Sequence, residues 1–289
     1  MKKVLLQLDT DEHPSPFDAI VAHDADVDVL LSHGDVKPEE TRALVQDAFF
    51  TRGVEDLKNT AVWVGGKDVA AGEQIFAQVQ KAFFGPFRVS VMLDSNGCNT
   101  TAATTIARIA KARSLSGNRA VVLGLGAVGL RSATLLAQEG SEVTVASLPP
   151  DLFDDERPYR RPRGLSVAEE LGLDIREPGD RSELEATLDG AQIVLAAGPS
   201  GVEVLRRDAW AAADSVELLA DYTAAEPLGI EGTKATDDLA DYDGKLVLGA
   251  LAIGGPKMKV HKACVRRLFE SNDQVLDTDA VYAVARELV

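Results

Sequence analysis

Lys257 and His261 stand four residues apart in the run Gly254-Gly255-Pro256-Lys257-Met258-Lys259-Val260-His261-Lys262. On a helix that spacing puts an ammonium and an imidazole on one face, and Cys264 and Leu268 continue the stripe inward. Such groups on a core-facing stripe need partners, which either a structural ion pair or a substrate cleft supplies. The glycines let backbone or ligand come close, and that favours the cleft. Pro256 reads as the first residue of the helix, which sets Lys257 in the first turn. A cation there opposes the helix dipole, at about 0.3–1 kcal/mol.

A second group of chemically capable residues is Asp94-Ser95-Asn96-Gly97-Cys98-Asn99-Thr100-Thr101, at a predicted turn from strand into helix. Capping of the helix accounts for one or two of these polar side chains. The surplus, with Asp94, Asn99 and Thr100 foremost, marks a pocket for a polar ligand as the alternative to capping. A third is Phe17 in Pro14-Ser15-Pro16-Phe17-Asp18, beyond the carboxyl end of the first predicted strand, where open α/β sheets bind ligands. Phe17 is either a ligand-facing aromatic plate or a staple that packs its helix onto the core.

The fourth group is Gly124-Leu125-Gly126-Ala127-Val128-Gly129. Arg119–Leu123 before it reads as a buried strand, Leu130–Gln138 after it as a helix, and Glu142–Ser147 as the next strand. Strand, glycine pattern, helix and strand in that order form the dinucleotide-binding fingerprint. Gly124 permits the tight turn, Gly126 admits the backbone to a pyrophosphate, and Gly129 lets helix pack on strand. Amides of the helix start, at Ala127 and Val128, then face the anion.

The elements needed to hold these groups follow from the hydrophobic pattern. Strand candidates before residue 100 are Lys3–Asp9, Val27–Ser32, Ala61–Val64 and Phe87–Asp94; helix candidates are Ser15–His23, Pro38–Phe50, Asp68–Phe84 and Cys98–Arg113. After Ser147 come strands at Asp174–Arg176, Gln192–Ala196, Val216–Ala220 and Lys245–Leu248, helices at Leu165–Leu171 and Arg181–Leu188, and closing helices at Lys257–Glu270 and Thr278–Leu288. This alternation predicts an α/β protein with two domains. They are a parallel α/β domain over residues 1–114 and a Rossmann-like nucleotide domain over 115–252, with helices of 253–289 returning to the first. A cleft bordered by both domains is expected.

The chain has 289 residues, 45% of them hydrophobic, and a formal charge of −16, which argues against nucleic acid or an anionic membrane as partner. The start, Met1 to Asp9, reads as a strand rather than a signal peptide. Cys98 and Cys264 form no metal-binding or disulfide pattern, so no metal is expected and the cytoplasm is the default location.

Taken together, the segments LDTDEHPSPFD, VGGKDVAAGE, FFGPFRVSVMLDSNGCNTTAA, GLGAVGLRSATLLAQEG, ADYTAAEPLGIEG and LAIGGPKMKVHKACVRRLFES resemble the NADP-dependent methylene-tetrahydromethanopterin dehydrogenases of methylotrophic bacteria. The resemblance implies oxidation of the one-carbon bridge of methylene-tetrahydromethanopterin, or of methylene-tetrahydrofolate in some members, to the methenyl form. It also implies a fold similar to the folate methylene dehydrogenases and a homo-oligomer, trimeric or a multiple of that. The family's active-site aromatic falls on Phe17, its threonine on Thr101, its lysine on Lys257 and its histidine on His261. Loss of hydride leaves a cation spread over two nitrogens and moves no proton, so orientation and electrostatics must carry catalysis. A charge on Lys257 beside that cation would oppose it, so Lys257 is expected to position the pterin or its tail.

One departure concerns the nucleotide. Relatives place a basic patch directly after the second strand of the nucleotide domain, whereas here Ala146-Ser147-Leu148-Pro149-Pro150 is followed by Asp151, Asp154, Asp155 and Glu156. Arg157, Arg160, Arg161 and Arg163 come later, in the Pro-rich loop 148–164. Ser147 is not the Asp or Glu usual in NAD enzymes. The reading therefore favours NADP, with Ser147 and one of these arginines on the 2′-phosphate; NAD is the alternative. Two other functions are weighed against the dehydrogenase: a reductase of another small substrate using Lys257 or His261 as acid, and a sensor that binds without hydride transfer.

Overall fold

The computed structural model describes residues 1–289. Its first elements are β1 (Val4–Asp9), α1 (Pro16–Asp24), β2 (Val29–His33), α2 (Thr41–Phe49), β3 (Thr60–Gly65), α3 (Val69–Ala82), β4 (Ser90–Leu93) and α4 (Cys98–Ala112). They continue as β5 (Arg119–Leu123), α5 (Ala127–Gln138), β6 (Glu142–Ala146), α6 (Gly164–Glu170), β7 (Asp174–Arg176), α7 (Arg181–Ala186) and β8 (Ile193–Ala196). The last are α8 (Arg207–Ala212), β9 (Leu218–Asp221), β10 (Asp238–Tyr242), β11 (Lys245–Leu248), α9 (Ala250–Arg267), β12 (Val275–Leu276) and α10 (Thr278–Leu288).

The chain divides into two compact units. The first holds Met1–Thr100 and Lys257–Leu288. Its sheet runs β12-β4-β3-β1-β2 with every pair parallel. β3 is buried along its whole length, as an unbroken apolar strand flanked by others must be. Leu6, Leu8, Val62, Val64, Val91 and Leu93 of the strands pack with Val45, Phe49, Ile75 and Val79 of α2 and α3. Each such side chain, fully buried, contributes about 1.5–3 kcal/mol. Local chemistry fixes where the helices start. Ser15 Oγ accepts from the Asp18 amide before Pro16 opens α1, and the Asp68 carboxylate accepts from the Ala71 amide before α3.

The second unit holds Thr101–Pro256. Its sheet runs β10-β11-β9-β8-β5-β6-β7, all parallel except the β10–β11 pair. Val121, Leu123, Val194, Leu219 and Val247 meet Leu184, Leu188 and Trp210 in its core. The sheet order reverses beside β5, and the carboxyl edge at such a point is where doubly wound folds take their ligands. None of the helices is long and apolar enough to cross a membrane.

Two features differ from the sequence expectation. β10, α8 and the two-residue β12 lack a readable pattern, since Asp238-Leu239-Ala240-Asp241-Tyr242 is strand by pairing with β11 rather than by composition. The second concerns Pro256, which is not the first residue of a helix but lies inside α9, which begins at Ala250. A proline there cannot donate to the carbonyl four residues back, that of Ala252. Arg108 from α4 fills the gap, its Nη1 donating to Ala252 O at 2.9 Å. Lys257 accordingly sits in mid-helix, away from the positive end of the dipole.

Candidate active site

In the first unit, the ends of β1, β3 and β4, the start of α1 and the side of α9 bring a small set of side chains together. α9 presents Lys257 and His261 one turn apart, as their spacing predicts. The Lys257 ammonium lies over the Phe17 ring, 5.0 Å from its centroid. The same nitrogen would be 3.0 Å from a Cβ on Gly97, whose φ of +64° already favours glycine. Phe17 is 50% exposed, so it is no core staple; its ring is tilted toward that of His261 at 6.3 Å.

His261 is 1% exposed and meets the Trp63 ring edge to face at 4.8 Å. Its Nε2 lies 3.5 Å from Asp94 Oδ2, yet neither ring nitrogen has a hydrogen-bond partner, nor does Trp63 Nε1. Burial drives the imidazole down to about 4, against the pull of Asp94 and with a further push from Lys257. It is therefore neutral at physiological pH, and one nitrogen keeps a proton to donate. Unpartnered buried nitrogens are rare in native proteins and call for an occupant.

Asp94 is held from the chain's own side. The Thr100 amide donates to Oδ1 at 3.0 Å and the Thr100 hydroxyl to Oδ2 at 2.6 Å. Asn99 Nδ2 donates to Leu93 O at 2.7 Å, which ties the strand end to the helix start. Ser95 Oγ reaches Gly65 O at 3.2 Å, and Gly72 leaves room for it. Much of the polar surplus at this turn is thus spent on shaping it. Thr101 follows on α4, half-buried, its carbonyl accepting from Thr105 Oγ1 at 2.9 Å.

One residue escaped the sequence reading. Asp18, on the first turn of α1, has a carboxyl pushed up to about 7 by burial, then by Asp94 and Asp9, with Lys257 partly offsetting them. An aspartate in a first helical turn reads as ordinary dipole chemistry, and nothing local signals that two other carboxylates converge on it. Trp63 Nε1 is the other omission, hidden inside an apolar strand.

In the second unit, the glycine turn joins β5 to α5. Gly124 has φ +117°, and a Cβ there would lie 2.5 Å from Ala197 O. A Cβ on Gly129 would lie 2.3 Å from Gly124 O. The chain's own packing therefore demands the first and third glycines. Gly126 is different: it is exposed, and a Cβ would meet nothing nearer than 3.9 Å. Nothing in the protein needs that emptiness, whereas a diphosphate against the amides of Ala127 and Val128 does. The turn therefore fits a dinucleotide. Ser147, just past β6, is buried, and its amide donates to Arg176 O at 2.9 Å. In the following loop Arg157 Nη1 donates to Gly201 O at 2.6 Å, and Arg161 approaches Glu177 at 3.8 Å.

The family model described as methylene-tetrahydromethanopterin dehydrogenase, N-terminal, matches residues 16–96. A bifunctional protein of Methylorubrum extorquens, MdtA, is 44% identical over 290 residues, 99% of each chain. The NAD(P)-dependent methylenetetrahydromethanopterin dehydrogenase of the same organism is 29% identical over 299 residues, again 99% of each. Among solved structures, the bifunctional methylenetetrahydrofolate dehydrogenase/cyclohydrolase FolD of Campylobacter jejuni shares the fold. Its TM-score is 0.50 at 12% identity, over 100% of this chain and 90% of that one.

Proposed function

The chain belongs to the methylene-tetrahydromethanopterin dehydrogenase family, and from that premise we propose that it oxidises the one-carbon bridge of methylene-tetrahydromethanopterin to the methenyl form. The observation that carries this reading is the neutral, unpartnered His261 beside Lys257 and an exposed aromatic plate, Phe17. That set suits a flat, polar-edged heterocycle.

A nicotinamide nucleotide bound at Gly124, Gly126, Ala127, Val128 and Gly129 supplies the acceptor for the hydride. The residues of the first unit do the rest. The Phe17 face packs against the pterin and limits its tilt. Lys257 donates to the pterin or its tail and orients the bridge carbon. His261 offers a hydrogen bond without adding positive charge, which matters because the product is a cation. Asp94 with its Thr100 clamp and Asn99 shape the floor; the Asp94 carboxylate also favours the developing charge. No proton need move, so the group that matters most is the one that holds geometry.

NADP is the nucleotide this reading takes, with Ser147 and one arginine of the loop 148–164 on the 2′-phosphate. A hydrogen bond to that charged group contributes about 1.5–3 kcal/mol, enough to set the preference. Carried with the reading are a homo-oligomer, trimeric or a multiple of three, and a cytoplasmic location. The experiment is direct: purified protein is mixed with methylene-tetrahydromethanopterin or methylene-tetrahydrofolate and NADP or NAD. Absorbance then follows the reduced nicotinamide and the methenyl product. Turnover of neither pterin overturns the proposal; higher kcat/KM with NAD overturns the nucleotide assignment alone.

A further inference from the structure

Two side chains beside the glycine turn of the second unit have no partner in the protein. Ser147 follows β6 and is 4% exposed, yet its hydroxyl makes no hydrogen bond within the chain. Its place next to the turn is fixed by the Gly124 amide, which donates to Ala146 O at 2.8 Å. Arg163 reaches the same turn from the loop 148–164. Gly164, the next residue, packs so closely that a Cβ there would lie 2.0 Å from Leu125 O and 2.9 Å from Leu130 Cδ1. Consecutive Cα atoms are about 3.8 Å apart, so Arg163 stands one residue from this anchor and its long side chain spans the turn's surroundings. Arg163 is exposed, and its guanidinium has no hydrogen bond or ion pair in the chain. The other cations of the neighbourhood are engaged. Arg157 donates to Gly201 O at 2.6 Å, Arg161 approaches Glu177 at 3.8 Å, and Arg176 donates to Asp174 at 3.2 Å. Arg160 is also unpartnered, but it lies three residues further along the loop from the Gly164 anchor.

Resting on the NADP assignment of the reading above, we infer that Arg163 is the specificity residue for the nucleotide: its guanidinium pairs with the 2′-phosphate, and the Ser147 hydroxyl donates to the same group. The end of the second strand is where a dinucleotide fold holds the adenosine ribose, and Ser147 occupies that end. A guanidinium presents two parallel N–H groups to a phosphate, and Arg163 loses no internal partner by turning to it. The acidic run of the same loop does not cancel this. The Asp151 carboxylate accepts from the Arg181 amide at 3.0 Å, and Asp154 accepts from the Glu156 and Arg157 amides at 3.0 and 2.8 Å. Both are spent on backbone. NAD lacks the 2′-phosphate and leaves Arg163 in water, so this one contact separates the two nucleotides.

The test is binding to the whole ligand-free protein, measured by titration calorimetry. The probes are NADP, NAD, adenosine 2′,5′-bisphosphate and adenosine 5′-monophosphate. In the parent, each 2′-phosphorylated ligand should bind about tenfold or more tightly than its counterpart. Arg163→Gln should weaken those two ligands by about tenfold to a hundredfold and leave the other two within about twofold. Arg163→Lys should recover part of the loss, since the charge remains and the planar fork does not. Arg163 is exposed, so the melting temperature should hardly change in either variant. Unchanged NADP affinity in Arg163→Gln, an equal loss for NADP and NAD, or a selective loss that appears in Arg160→Gln instead overturns the inference. A parent that binds NAD as tightly as NADP overturns it together with the NADP assignment. Selective binding as expected, with no turnover of any methylene-pterin, overturns the dehydrogenase reading and leaves the role of Arg163 in nucleotide choice standing.

Discussion

The rings of Trp63 and His261 meet edge to face, centroids 4.8 Å apart and planes at 73°, with no hydrogen bond to Trp63 Nε1 or either imidazole nitrogen. This contact keeps the imidazole in an apolar wall and neutral. Asp18, on α1, is shifted the other way. The two have opposite consequences for stability. His261 titrates at about 4 when folded and 6.5 when unfolded, so the native state loses stability as pH falls through that window. Asp18 titrates at about 7 when folded and 3.8 when unfolded, so the native state loses stability as pH rises through its window. Each slope is about 1.4 kcal/mol per pH unit, and between pH 4 and 6.5 they cancel. Relative to the parent, Asp18→Asn should gain on the order of 3 kcal/mol between pH 4 and 6.5, and His261→Gln should lose about as much. Urea unfolding at both pH values measures this; a difference that does not change with pH sinks the assignment.

Thr100 clamps Asp94 with two bonds, at 3.0 and 2.6 Å, and the second comes from a hydroxyl to a carboxylate. Thr100→Val keeps the shape and the amide bond but deletes the hydroxyl. The expected cost is about 1.5–3 kcal/mol in unfolding free energy, with Thr100→Ser recovering most of it. Thermal melting of the three proteins decides; equal stabilities would mean that the hydroxyl bond contributes nothing.

How much of this was readable beforehand depends on range. The glycine fingerprint was legible because its strand, turn and helix adjoin in sequence, and Lys257 with His261 because helical spacing alone aligns them. Asp18 was not, since its burial arises only when the ends of β1, β3 and β4 gather around α1. Pro256 misled for a related reason: the donor that replaces its missing N–H is Arg108, from α4, far away in the chain. β12 is two residues long and exists only through pairing with β4. Local chemistry was legible, and long-range satisfaction of polar groups was not.

The three glycines of the fingerprint should separate experimentally. Gly124→Ala forces a side chain into φ +117° and within 2.5 Å of Ala197 O, so the protein should lose several kcal/mol or fail to fold. Gly126→Ala meets no protein atom closer than 3.9 Å and has φ −77°, so melting should stay within about 0.5 kcal/mol of the parent. Nucleotide affinity should nonetheless fall about tenfold or more, because the methyl group occupies the approach of the diphosphate. Fluorescence titration with NADP reads this out. Unchanged affinity in a folded Gly126→Ala would move the diphosphate away from this turn.

Lys257 and Phe17 form the last pair to be parted. The ammonium is 5.0 Å from the ring centroid, close enough for a cation–π attraction of about 0.5–1 kcal/mol at a partly exposed site. That energy is small, so parting this contact alone should cost little stability. Lys257→Met retains the apolar stem and removes the charge; Phe17→Leu retains bulk and removes the flat face. If Lys257 orients substrate, Lys257→Met should raise KM for the methylene-pterin about tenfold or more while the melting temperature hardly moves. If Phe17 limits the tilt of the ring, Phe17→Leu should lower kcat more than it raises KM, since misorientation costs the hydride step rather than binding. Steady-state kinetics with NADP saturating separates the two. A Lys257→Met protein with parental KM, or a Phe17→Leu protein changed in KM alone, would reassign these side chains.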